Sequence, residues 1–71
     1  MRIKYSPHAK KRIKEREIDE SEILLTLVES DNKVYGDRNR IIANKKFKVY
    51  TLEAVYVIEK GQIIIVTVYY L

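Results

Sequence analysis

The 71-residue chain has no cysteine and no tryptophan, a single histidine, a single proline and only two glycines. Without cysteine there is no disulfide to staple a small fold and no thiolate to hold a metal, and one histidine is too few for an imidazole-based zinc site. Chemistry on this chain is therefore expected to need no cofactor and no metal beyond a weakly held ion. No run reaches the ~18 apolar residues that span a bilayer. The segment Met1-Arg2-Ile3-Lys4-Tyr5 lacks the apolar core of a signal peptide. The expected setting is the cytoplasm, with no membrane partner. No internal repeat, linker or low-complexity stretch divides the sequence, so residues 1–71 read as one domain.

Hydrophobic residues make up 46% of the chain and charged residues 34%, too apolar for disorder and too charged for a membrane protein. A chain this short buries only roughly 60% of its unfolded surface, so its core is small and a partner or second copy would add stability. The net charge of +4 conceals a segregation. Met1 to Arg16 carries seven Lys/Arg against one Glu, and Lys33 to Lys48 carries six against one Asp. Between them, Glu17 to Asp31 holds six acidic residues and no basic one. If the basic segments meet in space they form a surface attractive to RNA or DNA, with Lys11, Arg38, Arg40, Lys46 and Lys48 as candidate nucleic-acid contacts. The competing reading is that the blocks are solvated faces that neutralise one another.

The order of elements follows from capping and periodicity. Residues 1–5 suit a short edge strand. Ser6 is a favoured N-cap and Pro7 a favoured first helical residue, which predicts a helix from Pro7 to about Glu17. Asp19 as N-cap, with Glu22 three residues on and Ile18 and Ile23 placed as a hydrophobic staple, predicts a second helix. Its apolar face would be Ile23, Leu24, Leu27 and Val28, closing at Glu29 to Asp31. From Asn32 onward β-branched and aromatic residues take over. Expected strands are Lys33–Tyr35, Arg38–Asn44, Phe47–Leu52 with Ala54–Glu59 (two strands or one bent one), and Gln62–Tyr70 after a Lys60-Gly61 turn. Ile63 to Val68 is apolar on both faces, as befits a central strand. Two helices cover one face of such a sheet, so the other is expected to meet a second chain as a homodimer.

Within the first helix, His8, Arg12 and Arg16 recur every four residues and share one face, with Glu15 beside them. Metal-free RNA cleavage needs a base for the 2′-hydroxyl, cations for the phosphorane charge and an acid for the leaving oxygen. Histidine exchanges protons near neutral pH, arginine binds phosphate in bidentate fashion, and tyrosine donates a proton or stacks on a base. Candidate catalytic residues are therefore His8, Arg12, Arg16 and Tyr69, with Tyr70 as a neighbour. The alternative remains open: His8 caps a strand end, the arginines pair with Glu15 and the acidic helix, and Tyr69 only packs.

Ser6-Pro7-His8-Ala9, then Arg12 and Glu15-Arg16-Glu17-Ile18, with a terminal Ile65-Val66-Thr67-Val68-Tyr69, resembles an uncharacterised bacterial and archaeal domain family with the pattern S-x-H-A-x-x-R-x-x-x-R. That family is distantly similar to the RelE/ParE toxin superfamily, small basic proteins with two N-terminal helices on a twisted antiparallel sheet. The resemblance implies an α+β fold with three to five strands and a toxin-like component of a toxin–antitoxin module. Such a protein acts on RNA or the translation machinery, with RNA or the ribosome as target and an acidic antitoxin as partner. A metal-independent endoribonuclease is one form of that activity; a non-catalytic nucleic-acid- or protein-binding module is the alternative. The histidine lies in the first helix, unlike the RelE pattern, so no catalytic role carries over by position.

Overall fold

The structure, a computed structural model, describes residues 2–71; Met1, the first residue of the expected N-terminal strand, lies outside them. The elements are β1 (Arg2–Tyr5), α1 (Pro7–Arg16), α2 (Glu20–Val28), β2 (Asn32–Tyr35), β3 (Ile41–Lys46), β4 (Thr51–Glu59) and β5 (Gln62–Tyr70). They form an α+β fold in which both helices pack on one five-stranded sheet of order β1-β5-β4-β3-β2. The sheet is mixed: β2, β3, β4 and β5 pair antiparallel, whereas β1 joins β5 in parallel. A parallel neighbour is possible because most of the chain, not a tight turn, connects β1 to β5.

Both helices start where their caps specify. The Ser6 hydroxyl accepts the Ala9 N–H at 3.0 Å, and α1 ends at Glu17, which takes a left-handed φ of 51°. Asp19 caps α2 by accepting the Ser21 N–H at 2.9 Å and the Ser21 hydroxyl at 2.8 Å. Glu22 does not close a capping box; its carboxylate instead accepts the Tyr50 hydroxyl at 2.6 Å. The buried face of α2 is Ile23, Thr26 and Leu27, while Leu24 and Val28 are exposed. The helix is thus rotated from the expected apolar face. Thr26 can be buried because its hydroxyl bonds the Glu22 carbonyl at 2.8 Å, leaving no polar atom unpaired.

The strand boundaries differ from expectation in two places. Arg38 does not open β3: Asp37–Asn39 form one 3₁₀ turn in which Arg38 and Asn39 have positive φ. Phe47–Tyr50 is the β3–β4 connection, closed by the Phe47 N–H on the Tyr50 carbonyl at 2.7 Å, so β4 is a single strand starting at Thr51. The Lys60-Gly61 turn has both φ angles positive, 51° and 75°, the geometry of a two-residue hairpin.

A bulge then sets which residues meet the helices. Val55 pairs with Thr67 but Tyr56 with Ile65, so Val66 is the extra residue in β5. The alternation of β5 therefore shifts at Val66. Ile63 and Ile65 before it, and Val68 and Tyr70 after it, join Leu52, Ala54 and Tyr56 on the core side. Val57, Ile64, Thr67 and Tyr69 fall on the opposite face, which no helix covers.

Candidate functional site

Ser6 attaches α1 to the bulge. Its N–H donates to the Ile65 carbonyl at 2.9 Å, and its hydroxyl donates to the Val66 carbonyl at 2.7 Å while accepting the Ala9 N–H. Ala9 is fully buried, and its single methyl lets the helix lie close to β5. Within Ser6-Pro7-His8-Ala9 the serine and alanine thus serve docking. His8, between them, is exposed.

Beyond Ile65, β5 outruns β1, whose pairing stops there. Along that stretch lies a pocket of about 80 Å³ lined by Arg12, Arg16, Tyr69 and Tyr70. Residues separated by 57 or more positions in sequence, namely Arg12 and Tyr69, are brought together because Ser6 fixes the start of α1 beside Val66. Arg12 is half-buried and Arg16 exposed. Among the described residues the one ion pair joins Lys45 to Glu29 at 3.8 Å, so neither arginine is paired with Glu15 or with α2. Their charge is free for an anion. His8 does not line the pocket; it sits one turn before Arg12, about 5–6 Å away between Cβ atoms.

The two tyrosines of the pocket are held differently. Tyr70, on the core side, meets Tyr50 edge-on with ring centroids 4.7 Å apart, and Tyr50 in turn meets Phe47 at 5.8 Å. The hydrogen bond to Glu22 pushes the Tyr50 hydroxyl up to about 12; burial raises Tyr70. Tyr69, on the open face, donates its hydroxyl to Glu53, its cross-strand neighbour. That bond, with burial and the Glu53 charge behind it, pushes Tyr69 up to about 12. The Asn44 amide also donates to Glu53, at 3.3 Å, and Asn32 to Asn44 at 3.4 Å. Asn32, Asn44, Glu53 and Tyr69 are therefore one hydrogen-bonded row across β2, β3, β4 and β5.

The remaining basic candidates do not merge into one surface. Lys11 is exposed on α1. Lys46 ends β3 and Lys48 lies within the β3–β4 connection, at the same end of the sheet as Tyr70, since Lys46 pairs with Thr51 and Leu52 with Tyr70. Arg38 and Arg40 lie beyond the other end of β3, near the β2 edge. The two basic segments are separated by β4 and β5, because α1 packs on β5 and β1. Sequence reasoning did not single out Glu53 or Asn44. Only the register of β4 against β5, shifted by the bulge, brings Glu53 beside Tyr69. Among the described residues no three His, Asp or Glu side chains group as a metal site, and no helix is long and apolar enough to cross a membrane.

The fold and pocket define a small α+β domain with an unpaired arginine pair at a strand edge. Residues 5–70 match the family described as a domain of unknown function, DUF4258, and the chain belongs to that family. Neither a curated protein nor a solved structure matches it.

Proposed function

We propose that this domain is a toxin-like protein, similar to the RelE/ParE superfamily, that acts in the cytoplasm on RNA or the translation machinery as a metal-independent endoribonuclease. The observation that supports this reading is the pocket in which Arg12 and Arg16, both without a carboxylate partner, stand beside two tyrosines and one turn from an exposed histidine. In the proposed reaction the arginines bind a backbone phosphate and His8 takes the 2′-hydroxyl proton. The 2′-oxygen bonds to phosphorus, the bond from phosphorus to the 5′-oxygen breaks, and water protonates the leaving oxygen. The products are a 2′,3′-cyclic phosphate and a 5′-hydroxyl. The associated partners are RNA or the ribosome, an acidic antitoxin, and a second copy across the open sheet face.

The test is cleavage and binding of RNA by folded variants, checked by circular dichroism. His8→Ala lowers cleavage by roughly 10²-fold or more while binding stays near wild type. Arg12→Ala and Arg16→Ala weaken both, and binding falls steeply with salt. No turnover by wild type with or without ribosomes overturns the nuclease reading. A non-catalytic binding module is then the reading that survives, and the engagement of the Tyr69 hydroxyl by Glu53, which removes a candidate acid, already favours it.

A further inference from the structure

We propose that the β2–β3 hairpin is a second contact for single-stranded RNA, in which Tyr35 stacks on a base while Lys33, Arg38 and Arg40 take flanking phosphates. The proposal deepens the RNA reading above and rests on it for the class of ligand, but it uses none of the pocket residues. β2 is an edge strand, and all four of its residues are exposed. Tyr35 is 75% exposed, whereas every other aromatic residue of the chain is partly or fully buried. Alternation along β2 puts Lys33 on the same face as Tyr35 and Val34 on the other. The ring therefore stands among cations and not in an apolar stripe, which suits a base better than the apolar face of a protein helix. Beyond Tyr35 the chain turns back at once: the Gly36 N–H donates to the Arg40 carbonyl at 2.8 Å and the Arg40 N–H to the Asp37 carbonyl at 3.2 Å. Arg38 and Asn39 at the tip take left-handed φ angles of 58° and 60°, which L side chains rarely adopt. The closed turn holds Arg38 and Arg40 at fixed backbone positions within a few residues of the ring.

The charges of the hairpin favour a polyanion. Its own acid is Asp37, and the acids leading into β2 are already engaged, Glu29 by the Lys45 ammonium at 3.8 Å and Asp31 by the Lys46 N–H at 2.7 Å. Among the described residues Lys33, Arg38 and Arg40 have no carboxylate partner. Phosphates that meet these cations release counterions, and a base on an aromatic ring adds a contact that every base can make. The site is therefore expected to bind without strong sequence preference. Tyr35 pairs with Ile41 at the start of β3, whereas the arginine pocket lies toward the end of the sheet where β3 stops. An RNA lying across both is held at two points, which raises affinity without adding to the reacting groups.

The experiment uses the full chain and single-stranded (A)₁₂ RNA, with binding read by the anisotropy of end-labelled RNA. Because the chain has no tryptophan, Tyr35→Trp makes a unique fluorescent reporter at the hairpin. Unlabelled (A)₁₂ is expected to quench that emission by stacking, whereas poly-L-glutamate, a polyanion without bases, leaves it unquenched. Tyr35→Ala is expected to weaken (A)₁₂ binding about tenfold, with circular dichroism unchanged because the side chain is exposed. Arg38→Ala and Arg40→Ala each weaken binding and lower the slope of log affinity against log salt by about 0.7. Quenching that persists in the Arg12→Ala/Arg16→Ala double variant supports a site separate from the pocket. RNA binding by Tyr35→Trp without quenching overturns the proposal, as does wild-type affinity in Tyr35→Ala, and either result leaves the pocket reading standing. Tighter binding of poly-L-glutamate than of (A)₁₂, lost in Tyr35→Ala, assigns the hairpin to an acidic protein and also overturns it. Failure of wild type to bind (A)₁₂ sinks the hairpin and the RNA reading together.

Discussion

The two faces of the sheet are built from the same strands but live in different solvents. On the helix side, Leu52, Ala54, Ile65 and Val68 are fully buried. On the other side Val57 and Ile64 are half-buried and Val34 is 58% exposed. β5 is apolar on both sides, so hydrophobicity alone does not separate them. What separates them is coverage by α1 and α2, together with the extra residue at Val66 that turns Ile65 and Val68 to the same side. The polar row from Asn32 to Tyr69 lies on the open face. There water and cross-strand partners satisfy polar groups that the dry side would penalise by about 1–3 kcal/mol each.

The contrast is broken most severely by emptying the covered face. Ile65→Ala should cost about 2–5 kcal/mol in urea denaturation. That is a large share of the roughly 4–11 kcal/mol expected for a domain of this length. Ser6→Ala removes the cap of α1 and its tie to the bulge, and should cost about 1–3 kcal/mol. Because Ser6 also orients the helix, His8, Arg12 and Arg16 should shift together in amide NMR spectra.

Alkaline pH loosens both faces at once. Tyr50 on the α2 side and Tyr69 on the open face both stand at about 12 in the folded chain, against an ordinary value of 10.0. A folded-state value above the unfolded one gives stability that is complete below about pH 10 and lost as pH rises through about 12. The melting temperature should fall over that window, and the Tyr50→Phe/Tyr69→Phe double variant should fall less. The smallest effect belongs to Val57→Thr on the open face, expected to cost under about 1 kcal/mol. A larger loss that grows on dilution would show this face covered by a second copy, which sedimentation would also detect.

Much of this was legible from local chemistry. The caps at Ser6 and Asp19, Pro7 at the first turn and the Lys60-Gly61 hairpin depend on neighbours in sequence, and each formed where its residues specify. The arginine spacing on α1 was legible for the same reason. The rotation of α2 was not, since Thr26 looks polar until its hydroxyl finds the Glu22 carbonyl. Nor was the start of β3, because left-handed Arg38 and Asn39 have no glycine to announce them.

By itself the sequence determined two helices followed by strands, the single face carrying His8, Arg12 and Arg16, and the separation of charge into blocks. These are matters of spacing within a turn or a strand, where physical neighbours are also sequence neighbours. Tertiary structure alone decided that β1 runs parallel to β5, that Val66 bulges, that Arg38 and Arg40 lie far from Arg12, and that Glu53 takes the Tyr69 hydroxyl. Those outcomes depend on register between strands distant in sequence, and a one-residue slip in register moves every side chain beyond it to the other face.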